Sequence, residues 1–466
     1  MEQMFCGAVK VSITPSQEFL DKVTDFNESP YKDESRMDTL LGGVTRVREE
    51  KKRHSPQSFE GVYQQVYARI IAVTDDTDRK FFLIASDTSL TPGQRRLEKQ
   101  LYEQYGRQTG IVITTTHDHQ TLWAGDREDN PADMPYNPIL EEYTDLIHAQ
   151  ILRGIEEALC RKEPAQMGIG EIDSMIGACR DYCTPGGTIQ ASDLHADTDN
   201  ELTLVKFARM DGSPIAVYAS YGMHGNFMLT HLLNGNYPML GGDLPGAITE
   251  YAENAIGGGC IVAWGQGASG DRNPLIQSNL TYFETANGKY GQQNKILSVE
   301  DSLTLMRYLA SIQGEEISQL QQKITDYTRE FHSKTADFET EVELKTSFRD
   351  LKIPQPAAGD HPTVVPNGTE PMLFHLVIFN DIAFAGINAE MYSMLGKHVR
   401  EALPFRKTII IGLCRGNRLG YIPDAGAIDK YGFGTYASII RDPGKTEQDI
   451  IRTFVALSQQ DCMQEQ

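Results

Sequence analysis

The sequence predicts an α/β protein with a mixed β-sheet core flanked by helices and a metal site at the strand ends, and three observations carry this. Short β-branched runs such as Ile111-Val112-Ile113-Thr114-Thr115-Thr116 read as buried strands. Longer stretches with apolar residues three and four apart, clearest at Leu140, Tyr143, Ile147, Ile151, Ile155 and Leu159, read as helices with one face on a sheet. Several strands also stop abruptly at ligand-type residues, most plainly at His117-Asp118-His119. In sheet folds the crevice at strand ends is where ligands sit.

The 466 residues can bury one large core or two to three smaller ones, since a usual domain takes about 100 to 200 residues. A formal charge of −21, from 64 acidic and 43 basic residues, repels phosphate backbones and anionic bilayers and sets nucleic acid and membrane insertion aside. The seven cysteines are scattered, odd in number and without a CxxC pair. That pattern indicates neither a disulfide framework nor a thiolate zinc knuckle, and it suits a reducing compartment. Met1 to Gly7 carries Glu2 where a signal peptide wants lysines. No apolar stretch approaches the roughly 20 residues of a membrane span. The expectation is a soluble, cytoplasmic protein.

Taken in order, Gly7 to Pro15 alternates apolar and polar before a proline stop and reads as the first strand. Residues 24–60 are charged and poor in apolar side chains, which predicts a long surface excursion with some helix. Val66 to Val73 and Phe81 to Asp87 flank an acidic turn and form a hairpin whose second strand ends on a carboxylate. Residues 94–107 look helical and lead into the 111–116 strand, after which a Gly, Asp, Asn and Pro-rich loop runs from Leu122 to Pro138. The amphipathic helix 139–160 follows.

Met167-Gly168-Ile169-Gly170 and Ser174 to Ala178 read as short strands before a turn, Cys179 to Gly187, that holds Arg180. Leu202 to Ala208 and Ile215 to Tyr221 pair around Asp211-Gly212 and run into Gly222-Met223-His224-Gly225. Gly241 to Gly246 opens a helix to about Asn254, and Cys260 to Trp264 is a strand spilling into Gly270-Asp271-Arg272-Asn273-Pro274. A long polar helix is predicted from about Ser298 to Glu330, with residues 331–370 as a connector or arm. A third hairpin, Leu373 to Phe379 and Ile382 to Ile387, delivers Asn388-Ala389-Glu390 to a helix over 391–402. Thr408 to Cys414 is the last strand, before a loop with Arg415, Arg418 and Tyr421 and a closing helix from Thr446. There is no internal repeat.

The strand tips therefore present His117, His119, His224, Asp271 and Glu390. Two histidines and a carboxylate suffice to hold zinc (Zn2+) while leaving a position open for water, and that opening marks a catalytic site rather than a structural one. A lone His117 or His224 is more often a satisfied buried histidine; the case rests on three suitable ligands meeting at strand tips.

The order and rough spacing of Gly7 to Pro15, Thr115-Thr116-His117-Asp118-His119, Arg180, Met223-His224-Gly225, Gly242-Asp243, Gly270 to Pro274, Ala389-Glu390-Met391 and Gly412 through Tyr421 resemble the catalytic domain of the neutral, non-lysosomal ceramidase family. The resemblance covers nearly the whole chain and implies one catalytic domain, residues 1–466, without that family's carboxy-terminal immunoglobulin-like domain. It implies hydrolysis of an N-acyl amide by a metal-bound hydroxide, with zinc held by His117, His224, Glu390 and Tyr421 and with His119 and Arg180 beside the scissile group. The residues themselves point to only the first three of those ligands, because a phenolate lies outside the usual zinc set. The family's Gly-Asp-x-Ser-Pro serine is replaced here by Asn273, which cannot be a nucleophile in that role. Asp271 and Asn273 are expected to bind the substrate, a small acyl amide or lipid-like molecule more polar than ceramide. An ester or lactone as substrate, or a degenerate binding protein, are the alternatives.

Overall fold

The computed structural model describes residues 3–28, 58–123, 139–184, 187–228, 238–286, 289–353, 356 and 359–460. Its centre is an eight-stranded mixed sheet, ordered from one edge as Ile261–Gln266, Pro214–Tyr221, Glu201–Arg209, Glu163–Asp173, Phe5–Ser12, Tyr67–Thr74, Lys80–Ser86 and Gly110–Thr115. The outermost pair at each edge is parallel and the pairs between are antiparallel. The strand leading to His117 is thus an edge strand, yet all six of its residues are buried.

A second sheet, Ser333–Lys345, Pro366–Phe379, Ile382–Ile387 and Lys407–Ile411, explains that burial. Its apolar face packs on the first sheet through Val377, Phe379, Phe384 and Ile409 against Phe81, Leu83 and Val112. Phe81 stacks on Phe379 at 4.2 Å, and His375 Nε2 reaches the Ile111 carbonyl at 2.9 Å, so the second sheet pairs polar as well as apolar groups along the edge. Strand alternation sends Ile111 and Ile113 to the opposite face, where they meet Leu97 and Leu101 of the helix Gln94–Tyr105 and Ile147 and Ile151 of the helix Ile139–Cys160. Helices Asp243–Ile256 and Val299–Lys323 cover the other half of the first sheet, and Ser393–Ala402 and Pro443–Gln459 cover the second.

The helix expected to reach Glu330 stops at Lys323. Ile324 turns to extended geometry, and Thr328 exchanges backbone hydrogen bonds of 2.9 and 2.8 Å with Met167, so sheet pairing replaces helix there. Residues 331–370, read as a connector, supply the long strand Ser333–Lys345, which buries Ala336, Val342 and Leu344 on one face. The turn expected over Cys179 to Gly187 is instead the strand Gly177–Thr184, paired with Gly187–Asp193. A hairpin of Asn279–Ala286 and Lys289–Ile296 was not expected from the polar sequence there. Helix Gln17–Glu28 opens the charged excursion, whose remainder to residue 57 lies outside the described residues, as does 124–138 of the loop after His119. Among the described residues no helix is long and apolar enough to cross a membrane.

The carboxylate foreseen at the end of the second strand, Asp87, is structural. Both its oxygens accept from Arg69 Nη1 at 2.9 Å, and both side chains are about fully enclosed, at 1% exposure. Arg69 also binds Thr249 Oγ1 at 2.7 Å, tying the first sheet to the helix Asp243–Ile256. Arg69 Nε also lies 3.4 Å from Glu253 Oε1, so removing Asp87 leaves the buried charge only partly paired; breaking a buried pair outright costs about 3–5 kcal/mol. Asp87→Ala is expected to lose stability up to that amount in urea unfolding, and an unchanged midpoint and slope would contradict this role.

Candidate metal centre

The strand Gly110–Thr115 does not continue extended to the histidines. His117 adopts φ 50, the left-handed region that a non-glycine residue rarely occupies. Thr116 N donates to Ser86 O at 3.0 Å, Asp118 N to Thr88 O at 3.3 Å and His119 N to Gly225 O at 2.7 Å, so three backbone bonds hold the twisted tip. Gly225 is required for this contact: a Cβ there would lie 2.8 Å from Asp118 Cα. The twist brings His117 Nε2 and His119 Nε2 within 3.3 Å. The convergence foreseen from the sequence holds, though by this turn and not by extended alternation.

His224 follows the strand Pro214–Tyr221, and its backbone N donates to Arg272 O at 3.0 Å. Its Nδ1 lies 2.9 Å from Ser269 O and 3.0 Å from Arg272 O, while His117 Nδ1 lies 2.8 Å from Ser89 O. Carbonyl oxygens only accept, so in both rings Nδ1 carries the proton and Nε2 presents its lone pair inward. His119 Nδ1 has no such partner among the described residues. That difference separates two rings held by backbone carbonyls from a third that none holds, although all three could reach one metal ion.

Glu390 Oε2 stands 3.0 Å from His224 Nε2 and 3.5 Å from His117 Nε2. Burial, then the neighbouring His117 and His224, hold the basicity of His119 well below the usual imidazole range, with Arg180 adding to them and Glu390 opposing. Burial, with Arg180 adding to it, brings His224 down to about 4. Burial alone would push the Glu390 carboxyl up, but the interactions with His117 and His224 override it and hold it well below the usual range. His224 Nε2 and Glu390 Oε2 thus meet at hydrogen-bond distance, a spacing that either a proton or a cation can bridge. Two imidazoles plus a carboxylate are a standard catalytic zinc set. The residues fit the metal.

Tyr421 pairs with Glu390 as neighbours on two short parallel strands, and its ring lies 6.4 Å from that of His224. Burial, and then Glu390, push its hydroxyl up to about 12. Arg180 sits at a β-bulge between Cys179 and Asp181, a device that re-aims a side chain. Its Nη2 donates to Gly270 O at 2.5 Å, and its guanidinium packs 5.0 Å from the rings of both Tyr421 and Phe433. Tyr421 and Arg180 thus flank the centre together.

The two residues expected to bind substrate are differently engaged. Asp271 accepts from Ser393 N at 2.7 Å and Ser393 Oγ at 2.8 Å, anchoring the start of the helix Ser393–Ala402. Asn273 Oδ1 accepts from Asn226 Nδ2 at 3.0 Å, and Gln277 Nε2 closes the cluster on Asn226 at 2.9 Å. Reading the sequence missed Asn417, which donates to Glu390 Oε1 at 2.7 Å. Nothing in the loop pattern distinguishes that asparagine from a solvated one.

Fold and site together define an α/β protein with a buried histidine cluster at strand ends that can hold a metal ion. The fold is that of bacterial neutral ceramidase. A structure described as the crystal structure analysis of neutral ceramidase from Pseudomonas aeruginosa matches with a TM-score of 0.67 at 12% identity, covering 98% of this chain and 74% of that chain. A second, described as ceramidase complexed with C2, matches with a TM-score of 0.66 at 12% identity, covering 98% and 75%. At such identity the likeness is one of fold. No family model and no curated protein sequence matches the chain.

The fixed and free imidazoles make a testable distinction. After zinc loading and dialysis, His117→Ala and His224→Ala are expected to lose the metal, whereas His119→Ala keeps it, as read by elemental analysis. Zinc retained by His224→Ala at the wild-type level would contradict the ligand assignment.

Proposed function

We propose that this chain is a zinc-dependent amidohydrolase that cleaves an N-acyl amide in a substrate more polar than ceramide. The observation that carries the reading is the meeting of two orientated imidazoles and a carboxylate, all buried at the strand ends, with a third imidazole beside them. His117, His224 and Glu390 would hold the metal, with Tyr421 as fourth ligand by the family resemblance. When bound, zinc supplies Lewis acidity and lowers the pKa of a coordinated water to about 7.

The chain's own groups do the rest. His119 Nε2, neutral because it is buried among other rings, takes up a proton from the attacking water and returns it to the departing amine. Arg180, buried and permanently charged between two aromatic rings, steadies negative charge growing on the acyl oxygen. The carboxamides of Asn226, Asn273 and Gln277 bond one another where the resemblance places a serine, and such polar groups in that position favour a substrate with polar substituents. Six free thiols among the described residues favour the cytoplasm as its location.

The test is a panel of N-acyl amines, graded from polar to ceramide, offered to the zinc-loaded protein. Polar members are expected to be hydrolysed best. His119→Ala should lower kcat by about 10²–10⁴-fold at unchanged zinc content. A loaded protein that cuts no acyl bond, or that prefers ceramide, would overturn the reading.

A further inference from the structure

Asn417 does two things at this site, and only one of them has a visible partner. Its Nδ2 donates to Glu390 Oε1 at 2.7 Å. The carboxylate dictates the orientation, because a flipped carboxamide would set its carbonyl oxygen against Glu390. Glu390 is thereby divided: Oε1 is engaged by Asn417, and Oε2 faces His224 and His117. The carbonyl oxygen of Asn417, Oδ1, is buried and has no hydrogen-bond partner among the described residues. Leaving such an acceptor unpaired is costly, so a donor from outside the protein, a water or a ligand N–H, is expected to meet it.

The loop that carries Asn417 is held, not adventitious. Leu413 and Arg415 occupy the left-handed region at φ 57 and φ 62. Their conformation is fixed from outside, with Arg415 bound to Glu98 at 2.8 Å and to Asp337 at 3.1 Å, and with its backbone N on Gln94 Oε1 at 3.0 Å. Past Asn417, Glu390 N donates to Gly420 O at 2.8 Å, so the loop is also sewn to the carboxylate's own segment. Strain at non-glycine positions persists where the surroundings over-determine it, and such positions cluster at functional sites.

We propose that Asn417 selects an acyl amide: its amino group positions Glu390, and its unpaired carbonyl oxygen accepts the N–H of the bound acyl group. This deepens the amide-hydrolase reading and rests on it. A secondary amide brings an N–H to the reacting carbon, whereas an ester or lactone brings only an oxygen, which would set two acceptors face to face. A site built to bond a substrate N–H rejects the analogue without one far more strongly than apolar fit can.

The test needs no knowledge of the natural substrate. Acetohydroxamic acid, which has an N–H, and N-methylacetohydroxamic acid, which lacks it, are titrated into the zinc-loaded protein by calorimetry. Wild type is expected to prefer the N–H ligand by about tenfold or more. Asn417→Leu keeps the shape without the acceptor, and Asn417→Ala is a second variant should the first fold poorly. Both should weaken the N–H ligand by about that factor while leaving the N-methyl ligand unchanged, so that the loss is not one of space. Both should also lower zinc affinity by about 10–100-fold in chelator competition, because Glu390 loses its support. No preference in wild type, or a preference and zinc affinity that survive both substitutions, overturns the proposal alone. Failure of wild type to bind zinc or either hydroxamate overturns it together with the hydrolase reading.

Discussion

The structure turns on three ligand-type atoms held together: His117 Nε2, His224 Nε2 and Glu390 Oε2, at 3.0 to 3.5 Å across the carboxylate. Backbone carbonyls take the Nδ1 protons of both rings, so Nε2 is the atom that each ring turns to the carboxylate. Two imidazoles and a carboxylate converging in this way, all of them buried, form a donor set that suits a cation.

Each donor reaches the trio through a different part of the fold. His117 comes from an edge strand that the second sheet buries, His224 from near the opposite edge of the first sheet, and Glu390 from the end of a hairpin of the second sheet. The two sheets must therefore pack in one register for the centre to exist, and the Phe81–Phe379 stack and the His375 bond to Ile111 fix that register. At the junction Gly225 lets two backbone tips touch where any side chain would separate them. Metal affinity and core packing are coupled through these contacts.

The strands, the helix 139–160 and the convergence of His117, His224 and Glu390 were legible because hydrophobic period and residue type are local properties of sequence. What was not legible depended on partners far along the chain. Residues 331–370 read as a connector because an edge strand buries only one face, and Ser333–Lys345 is acidic on the other. Arg180 read as part of a turn because a β-bulge has no composition of its own. The orientation of His117 and His224 depends on carbonyls of Ser89, Ser269 and Arg272, and a carbonyl is the same at every residue. Asn417 escaped notice for the related reason that its meaning comes from facing Glu390.

Zinc-edge anomalous diffraction from crystals of the loaded protein bears most directly on this account. The peak should lie about 2.0–2.2 Å from His117 Nε2, His224 Nε2 and one Glu390 oxygen, with His119 outside bonding distance. A peak bonded to His119 in place of Glu390, or no peak between the two sheets, would contradict it.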